Sequence, residues 1–258
     1  MKILVLDDNW PQTAWFIQEM HRQRIEVVYA SPGAITARGL GRYCRHRPAP
    51  SMRSADYRQF LIDLLAAEAF DLVLPLCEPL QRIAWELPEP FVSRVFPQAT
   101  AEQRRLLDDR RAMYALATRL GVPIPRMMPI SGADALDAVS RDLGWPLVLR
   151  GTQGLGGEQV RIVRDRSQLL EAYSALHARS PEPPFAQEFI VGTRTVVGAL
   201  LDRGSTLRAF AQRSLETHPA PTGPSIRSRS MKDATLFEHA EKLFAALEWD
   251  GLALAEFI

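Results

Sequence analysis

Short, uninterrupted apolar runs alternate with amphipathic segments through the first hundred residues. Pro11 suits the first turn of a helix reaching about Arg24, and apolar residues at helical spacing predict a second helix from Ser54 to Ala69. Continuous apolar runs are typical of parallel strands covered on both faces. Three of them predict such strands: Lys2 to Asp7, Ile25 to Ala30, and Phe70 to Leu76. The alternation predicts a doubly wound, Rossmann-like α/β unit.

The pattern changes after Asp108 to helices and strand pairs without β-α-β alternation. Predicted helices run from Arg110 to Leu120, from Ser131 to Gly144 and from Asp233 to Leu247. Predicted strands are Trp145 to Arg150, Gln159 to Val163, Phe185 to Ile190, Arg194 to Leu201, Thr206 to Gln212, and Leu252 to Ile258. The segment from Ser214 to Met231 is predicted to be a long polar loop. This half of the chain is therefore expected to be α+β.

Charge and cysteine content exclude several classes of function. Lys plus Arg (31) nearly cancels Asp plus Glu (30), so no bulk field gathers nucleic acid or an anionic membrane surface. No apolar stretch approaches the ~20 residues needed to span a bilayer. Cys44 and Cys77 form neither a CxxC pair nor a disulfide framework, which favours a reducing, cytoplasmic setting. Cys77 is expected to be a small buried apolar residue rather than a nucleophile.

The turn after the first predicted strand argues against a dinucleotide site. Asp7 to Pro11 reads Asp-Asp-Asn-Trp-Pro and lacks the glycines that let a backbone approach a pyrophosphate. A nicotinamide oxidoreductase is therefore disfavoured.

A glycine-rich loop lies between two predicted strands of the second half. Gly151 to Gly157 contains four glycines in seven residues, which suits a flap of backbone N–H groups over phosphate oxygens, although a flexible hairpin tip would use the same residues. It is not a Walker loop, because no Gly-Lys-Ser/Thr ending opens a helix. Arg150 precedes the loop, where a guanidinium can clamp phosphate oxygens; its simpler alternative is a solvated strand end.

Five separated motifs occur in the order found in the ATP-grasp superfamily. They are Asp109-Arg110, Gly121-Val122-Pro123-Ile124-Pro125, Trp145 to Arg150 with its glycine loop, Gln187-Glu188-Phe189-Ile190-Val191-Gly192, and Gly251-Leu252-Ala253-Leu254-Ala255-Glu256-Phe257. Together they resemble the branch that contains carbamoyl-phosphate synthetase large chains and similar carboxylate-amine ligases. The resemblance covers essentially the whole chain.

The resemblance implies a fold and an ATP site. The implied fold is a Rossmann-like pre-ATP-grasp domain over 1–107, a small ATP-grasp lobe over 108–184, and a larger lobe over 185–258 that is expected to be incomplete. Implied nucleotide-binding residues are Arg110 and Arg150 for the phosphates, Gly154, Gly156 and Gly157 for the mobile loop, and Gln187, Glu188 and Ile190 for the adenine edge. Glu256 matches the first magnesium-binding carboxylate.

Three departures from the family pattern qualify this expectation. Thr195 stands where the family carries an acidic residue for the ribose hydroxyls, and Pro221 stands where carbamoyl-type synthetases carry a histidine, so bicarbonate chemistry is doubtful. The family's second metal carboxylate and following asparagine lie downstream of the Glu256 strand, whereas this sequence ends at Ile258. An incomplete metal site is therefore expected, with nucleotide binding but without turnover by the chain as given.

The arginines of the polar segment are candidates for the substrate end of the site. Arg213 is expected to face the γ-phosphate, and Arg227 and Arg229 to bind an anionic carboxylate or an acyl phosphate. A polar loop without a ligand explains the same residues. No histidine spacing suggests a metal site.

The expected function is a Mg-ATP-dependent ligase acting through an acyl phosphate on a carboxylate and an amine. The alternative is a non-catalytic nucleotide-binding or regulatory relative that lost turnover. Small molecules are the expected partners, without nucleic acid or membrane, and a homodimer is the candidate assembly. The exposed edge of the last strand favours weak association or fraying.

Overall fold

A computed structural model describes residues 1–8, 11–33, 39–152, 159–178, 182–218, 220 and 223–258. The chain divides into two compact units, Met1–Gln98 and Ala99–Ile258. The predicted three-part division at 107/108 and 184/185 stays a prediction.

The first unit is built on a parallel sheet of four strands. Its strands are β1 (Lys2–Leu6), β2 (Glu26–Ser31), β3 (Arg45–Pro48) and β4 (Leu72–Pro75), and its helices are α1 (Pro11–Arg22), α2 (Tyr57–Ala67) and α3 (Glu78–Trp85), followed by a 3₁₀ turn at Val92–Arg94. The sheet order is β3-β2-β1-β4. The predicted α/β pattern is confirmed in the described part of this unit, and the apolar runs of β1 and β2 are almost fully buried.

Two elements of the first unit were not predicted. Strand β3 reads Arg-His-Arg-Pro and is a polar edge strand. Its two arginines, Arg45 and Arg47, both form ion pairs with Glu68. Helix α3 follows β4 directly, and Pro79 occupies its first turn. Neither element has an apolar run, so hydrophobic pattern alone does not signal them.

The second unit contains two antiparallel sheets and five helices among its described residues. Its helices are α4 (Ala101–Asp108), α5 (Arg110–Arg119), α6 (Leu136–Leu143), α7 (Arg166–His177) and α8 (Ala234–Ala246), with a 3₁₀ turn at Ala133–Ala135. The strands are β5 (Met127–Pro129), β6 (Leu147–Arg150), β7 (Val160–Val163), β8 (Phe185–Glu188), β9 (Thr195–Asp202), β10 (Ser205–Thr217), β11 (Ser225–Met231) and β12 (Gly251–Phe257).

The first of these sheets, called here the small-lobe sheet, has the order β5-β8-β6-β7. One face packs on helices α6 and α7 through a core that includes Leu147, Leu149 and Ala186, each fully buried. In the register Val148 lies opposite Gln187, and Arg150 lies opposite Phe185. Because side chains alternate between faces, these four residues share the other face of the sheet, away from that core.

The other antiparallel sheet of the second unit, called here the large-lobe sheet, has the order β11-β10-β9-β12. The β9 residues Val197, Ala199 and Leu201 are buried on one face, which α8 covers with Ala240 and Phe244. The opposite face is open among the described residues, where the side chains of Phe210, Leu252 and Leu254 are about half exposed or more. Within the described ranges, strand β12 pairs with β9 alone and forms one edge of this sheet.

The prediction of a long polar loop from Ser214 to Met231 is wrong over most of its length. Strand β10 continues to Thr217, and β11 returns antiparallel to it from Ser225 to Met231. The pairing is irregular at Ser214 and Glu216, where a bulge shifts the register. Backbone pairing rather than apolar alternation creates this hairpin, which explains why its Ser/Arg-rich sequence was misread. Helix α7 was also not predicted; Asp165 caps it, and Leu169, Tyr173 and Leu176 bury its inner face.

Candidate functional site

The N-terminus of helix α5 brings Arg110 to the end of strand β6. Asp109 caps the helix by accepting from the backbone N–H of Arg111, which fixes where the helix begins. The backbone N–H of Arg110 then donates to the carbonyl of Thr152 at 3.3 Å, and its Nη1 donates to the carbonyl of Gly151 at 3.3 Å. Since Arg150 directly precedes Gly151, the structure brings the two predicted phosphate-binding arginines together.

Arg150 is held by a residue one helical turn beyond Arg110. Its Nη1 donates to the hydroxyl of Tyr114 at 3.1 Å. Its Nε is buried and has no hydrogen-bond partner within the part of the chain that the structure describes. Leaving a buried donor of a charged group unpaired is costly, so this atom is suited to an anionic ligand.

Gln187 completes a short polar chain across the same face of the small-lobe sheet. The Tyr114 hydroxyl lies 3.4 Å from Oε1 of Gln187, whose side chain is almost fully buried. The Tyr114 ring meets the Phe185 ring edge-on at a centroid distance of 6.3 Å. Arg150, Tyr114 and Gln187 thus form one contiguous group.

Glu188 points to the other face of β8 and is engaged there. Its carboxylate accepts from the backbone N–H of Arg126 at 2.8 Å and from the Nε of Arg126 at 2.9 Å. The backbone N–H of Arg126 and then its guanidinium hold the pKa of the Glu188 carboxyl below its usual range. In return, the backbone N–H of Glu188 donates to the Arg126 carbonyl at 2.9 Å. The side chain therefore fixes the end of β8 and is not directed to the face of Gln187.

The motif from Gln187 to Gly192 is called here the hinge segment, and its last residues lie beyond β8. Ile190 is 37% exposed, so its apolar side chain is available for a further contact. Gly192 is closely approached by Ile258: a Cβ atom built on Gly192 would lie 2.7 Å from the Ile258 Cγ2. This contact brings the hinge segment against the end of the large-lobe sheet. The predicted loop glycines Gly154, Gly156 and Gly157 lie outside the described residues.

The candidate residues of the large-lobe sheet do not all share one face. In the register Glu256 lies opposite Val196, which lies opposite Gln212, whereas Arg213 lies between Thr195 and Arg229. Arg213 and Glu256 therefore project from opposite faces of the sheet. Both are exposed. The structure does not bring them together.

Arg227 has a partner of its own within the hairpin. Its Nε lies 3.4 Å from Oε2 of Glu216, the residue that faces it in the register. Both side chains are more than half exposed, so the pair is well solvated. The predicted roles of Arg213 and Arg227 in catalysis stay predictions.

Comparison with known proteins gives the family context. Residues 109–196 match the family described as carbamoyl-phosphate synthase L chain, ATP binding domain. The biotin carboxylase domain of 2-oxoglutarate carboxylase from Hydrogenobacter thermophilus, solved with Mg-ADP and bicarbonate, superposes with a TM-score of 0.74 at 16% identity, over 99% of this chain and 60% of that one. Residues 109–196 therefore match an ATP-binding domain of this family, and the chain has the ATP-grasp fold.

Two further solved ATP-grasp structures are similar over the same extent. Phosphoribosylamine–glycine ligase from Thermotoga maritima gives a TM-score of 0.73 at 14% identity, over 99% of this chain and 65% of that one. N5-carboxyaminoimidazole ribonucleotide synthetase from Thermus thermophilus gives 0.67 at 16% identity, over 100% and 67%. This chain spans about 60 to 67% of the length of these proteins.

Sequence reasoning missed Tyr114. Its position four residues after Arg110 places both side chains on one face of α5, which is the signal that could have found it.

The structure also bears on Cys77, on metal-binding clusters and on membrane-spanning helices, none of which involves the residues of the candidate site. Burial raises the pKa of the half-buried Cys77 thiol to about 11, which makes it a poor nucleophile. Among the described residues, no three His, Cys, Asp or Glu side chains cluster to hold a metal, and none of the helices is long and apolar enough to cross a bilayer.

Proposed function

We propose that this ATP-grasp chain binds Mg-ATP and belongs to an ATP-dependent ligase that joins a carboxylate to an amine. The γ-phosphoryl group of ATP passes to the substrate carboxylate, which leaves ADP and an acyl phosphate. The amine then attacks the acyl carbon and releases phosphate. Positioning and charge neutralisation provide most of the rate acceleration in such transfers.

The observation that carries the proposal is the arrangement of Arg150. A guanidinium can only donate hydrogen bonds, and the Nε of Arg150 is buried without a partner in the described residues. Nη1 is already held by Tyr114. A phosphate oxygen would satisfy the free donor and add a charge-assisted bond. Arg110, anchored on the Gly151 carbonyl, places a second positive charge beside it.

The adenine end of the site is assigned to the hinge segment. Gln187 shares the face of Arg150, so its amide is suited to the edge of a purine, and Ile190 offers an exposed apolar contact. Glu188, held by Arg126, contributes by fixing the backbone there. Gly154, Gly156 and Gly157 are proposed to cover the phosphates.

Glu256 is proposed as an oxygen ligand for magnesium. Mg²⁺ prefers carboxylate and phosphate oxygens, and it neutralises charge on the phosphates that it bridges. The Glu256 carboxylate is exposed on the open face of the large-lobe sheet and has no ion pair or hydrogen bond in the described part of the chain. It is therefore available as a ligand. Arg213, on the other face, and Arg227, paired with Glu216, are weaker candidates for the substrate end.

Two features bear on the alternatives. A relative that binds nucleotide without turnover would use the same small-lobe residues, so only activity separates it from a ligase. A homodimer is also a proposal: the solved Hydrogenobacter domain is a dimer, and the β12 edge of this chain is unpaired among the described residues.

Binding should be tested first by calorimetry with Mg-ATP and with NAD. We expect Mg-ATP alone to bind, and Arg150→Ala to weaken it roughly ten- to hundredfold, the effect of losing a charge-assisted bond. Arg164→Ala is the matched control, because Arg164 directly follows β7 in the same sheet and is exposed. Equal binding of Mg-ATP by wild type and Arg150→Ala would contradict the assignment.

Turnover should be tested with hydroxylamine as a general amine. An acyl phosphate formed from any carboxylate in a panel is trapped as a hydroxamate, and ADP is released in equal amount. A hydroxamate that depends on both ATP and one carboxylate supports the ligase. Tight Mg-ATP binding without hydroxamate from any carboxylate favours the non-catalytic alternative.

A further inference from the structure

Tyr114 lies between the two ends of the nucleotide site without belonging to any of the motifs that define it. Its hydroxyl is 3.1 Å from Nη1 of Arg150 and 3.4 Å from Oε1 of Gln187. These two residues sit on neighbouring strands, β6 and β8, and on the same face of the sheet. Helix α5 supplies the hydroxyl from outside the sheet.

The donors and acceptors around the Tyr114 hydroxyl admit one arrangement that pairs its single proton. Arg150 can only donate, so the Tyr114 oxygen accepts from it. The single hydroxyl proton then needs an acceptor, and Oε1 of Gln187 provides it. A flipped amide would present a second donor to the same oxygen and leave the hydroxyl proton unpaired. The arrangement therefore orients the Gln187 amide, with its N–H groups left for the acceptor nitrogens of a purine.

We propose that Tyr114 is a positioning residue that presets both Arg150 and Gln187 for Mg-ATP. This inference rests on the proposed function. An arginine side chain has many rotamers, and the freedom among them is lost on binding unless the side chain is already fixed. Fixing it beforehand improves affinity without any new contact to the ligand. The edge-on contact with Phe185 holds the Tyr114 ring independently of its hydroxyl.

The lengths of the two hydrogen bonds indicate whether the Tyr114 hydroxyl contributes more to positioning Arg150 or to positioning Gln187. At 3.1 Å the bond from Arg150 is close to normal length and charge-assisted, whereas 3.4 Å is long for a bond between two oxygen atoms. The hydroxyl is therefore expected to matter more at the phosphate end than at the adenine end. Loss of the hydroxyl should reduce affinity for ATP far more than affinity for adenosine.

The test is a calorimetric cycle on the full chain with Mg-ATP and with adenosine. Tyr114→Phe keeps the ring and removes only the hydroxyl, and we expect it to weaken Mg-ATP roughly tenfold and adenosine by about twofold or less. In an Arg150→Ala background, the difference between the two ligands should disappear, because the hydroxyl then has no guanidinium to position. Tyr173→Phe is the matched control, since Tyr173 is a buried tyrosine of the same lobe far from these contacts in sequence.

Each result decides the proposal. If wild type binds Mg-ATP but Tyr114→Phe binds it within about twofold, positioning by Tyr114 is refuted while the proposed function stands. Equal losses for Mg-ATP and adenosine, or full additivity with Arg150→Ala, indicate a merely structural role and also refute it. No Mg-ATP binding by wild type overturns the proposed function and this inference together.

Discussion

The two antiparallel sheets of the second unit prepare their candidate residues in opposite ways. On the small-lobe sheet, Arg150 and Gln187 are joined through Tyr114 and largely removed from solvent. On the large-lobe sheet, Glu256 and Arg213 are exposed and lie on opposite faces. The residues proposed for the nucleotide are thus held by contacts within the fold, whereas those proposed for the metal and the substrate are not. Preorganisation of one end predicts that binding and chemistry depend on separate parts of the chain.

The largest expected difference between the sheets is in stability. Leu149 on β6 is fully buried and Leu254 on β12 is 69% exposed, although both are strand leucines. Leu149→Ala should cost about 2 to 5 kcal/mol of the free energy of unfolding, by lost burial and a cavity. Leu254→Ala should change it by about 0.5 kcal/mol or less. Urea unfolding followed by tryptophan fluorescence measures both; similar losses would mean that a partner covers the open face.

The second difference concerns the two carboxylates, Glu188 and Glu256. Contacts with Arg126 lower the pKa of Glu188 in the folded protein, so its stabilising contribution is present above the ordinary carboxyl pKa and is lost as the pH falls. The melting temperature of Glu188→Gln should therefore lie below that of wild type at pH 7, and the gap should close from about pH 5 downward.

Glu256→Gln is the comparison variant for this pH series. Its side chain has no ion pair or hydrogen bond in the described residues, so we expect its melting temperature at pH 7 to match that of wild type. An equal loss at pH 7 for Glu256→Gln and Glu188→Gln, or a pH-independent gap for Glu188→Gln, would remove the contrast between the two sheets.

The smallest expected effects lie in the β10–β11 hairpin. Arg213 faces Arg229 directly, a like-charge pair, whereas Arg227 faces Glu216. At low salt, Arg229→Gln should leave stability unchanged or raise it by about 0.5 kcal/mol, and Arg227→Gln should lower it by about 0.2 to 1 kcal/mol. Both differences in melting temperature should shrink at high salt. Marked destabilisation by Arg229→Gln would show that the Arg229 side chain makes a stabilising contact and is not merely repelled by Arg213.

The strands with apolar runs were predicted to within a few residues because burial on both faces leaves a clear pattern, as in β1 and β6. Strand β11 was not, since Ser225–Met231 reads Ser-Ile-Arg-Ser-Arg-Ser-Met and owes its strand to pairing with β10. Edge strand β3 was missed for the same reason.

The candidate site was foreseen only in part. Motif order named Arg110, Arg150 and Gln187, and the structure brings these residues together. Motif order could not predict that Glu188 pairs with Arg126 or that Tyr114 joins the group. Nor could it predict that Arg213 and Glu256 lie on opposite faces of the sheet. Those facts depend on register and on helix placement, which no single motif encodes.

The proposed contact between Arg150 and a phosphate oxygen can be tested by following the Nε–H group of Arg150 while Mg-ATP is added. Its signal in a ¹⁵N–¹H spectrum can be assigned by its loss in Arg150→Lys. We expect a large, saturable shift with Mg-ATP and with Mg-ADP and little change with adenosine, because a phosphate oxygen supplies the missing hydrogen-bond partner. Saturable binding of Mg-ATP that leaves this signal unmoved would contradict it.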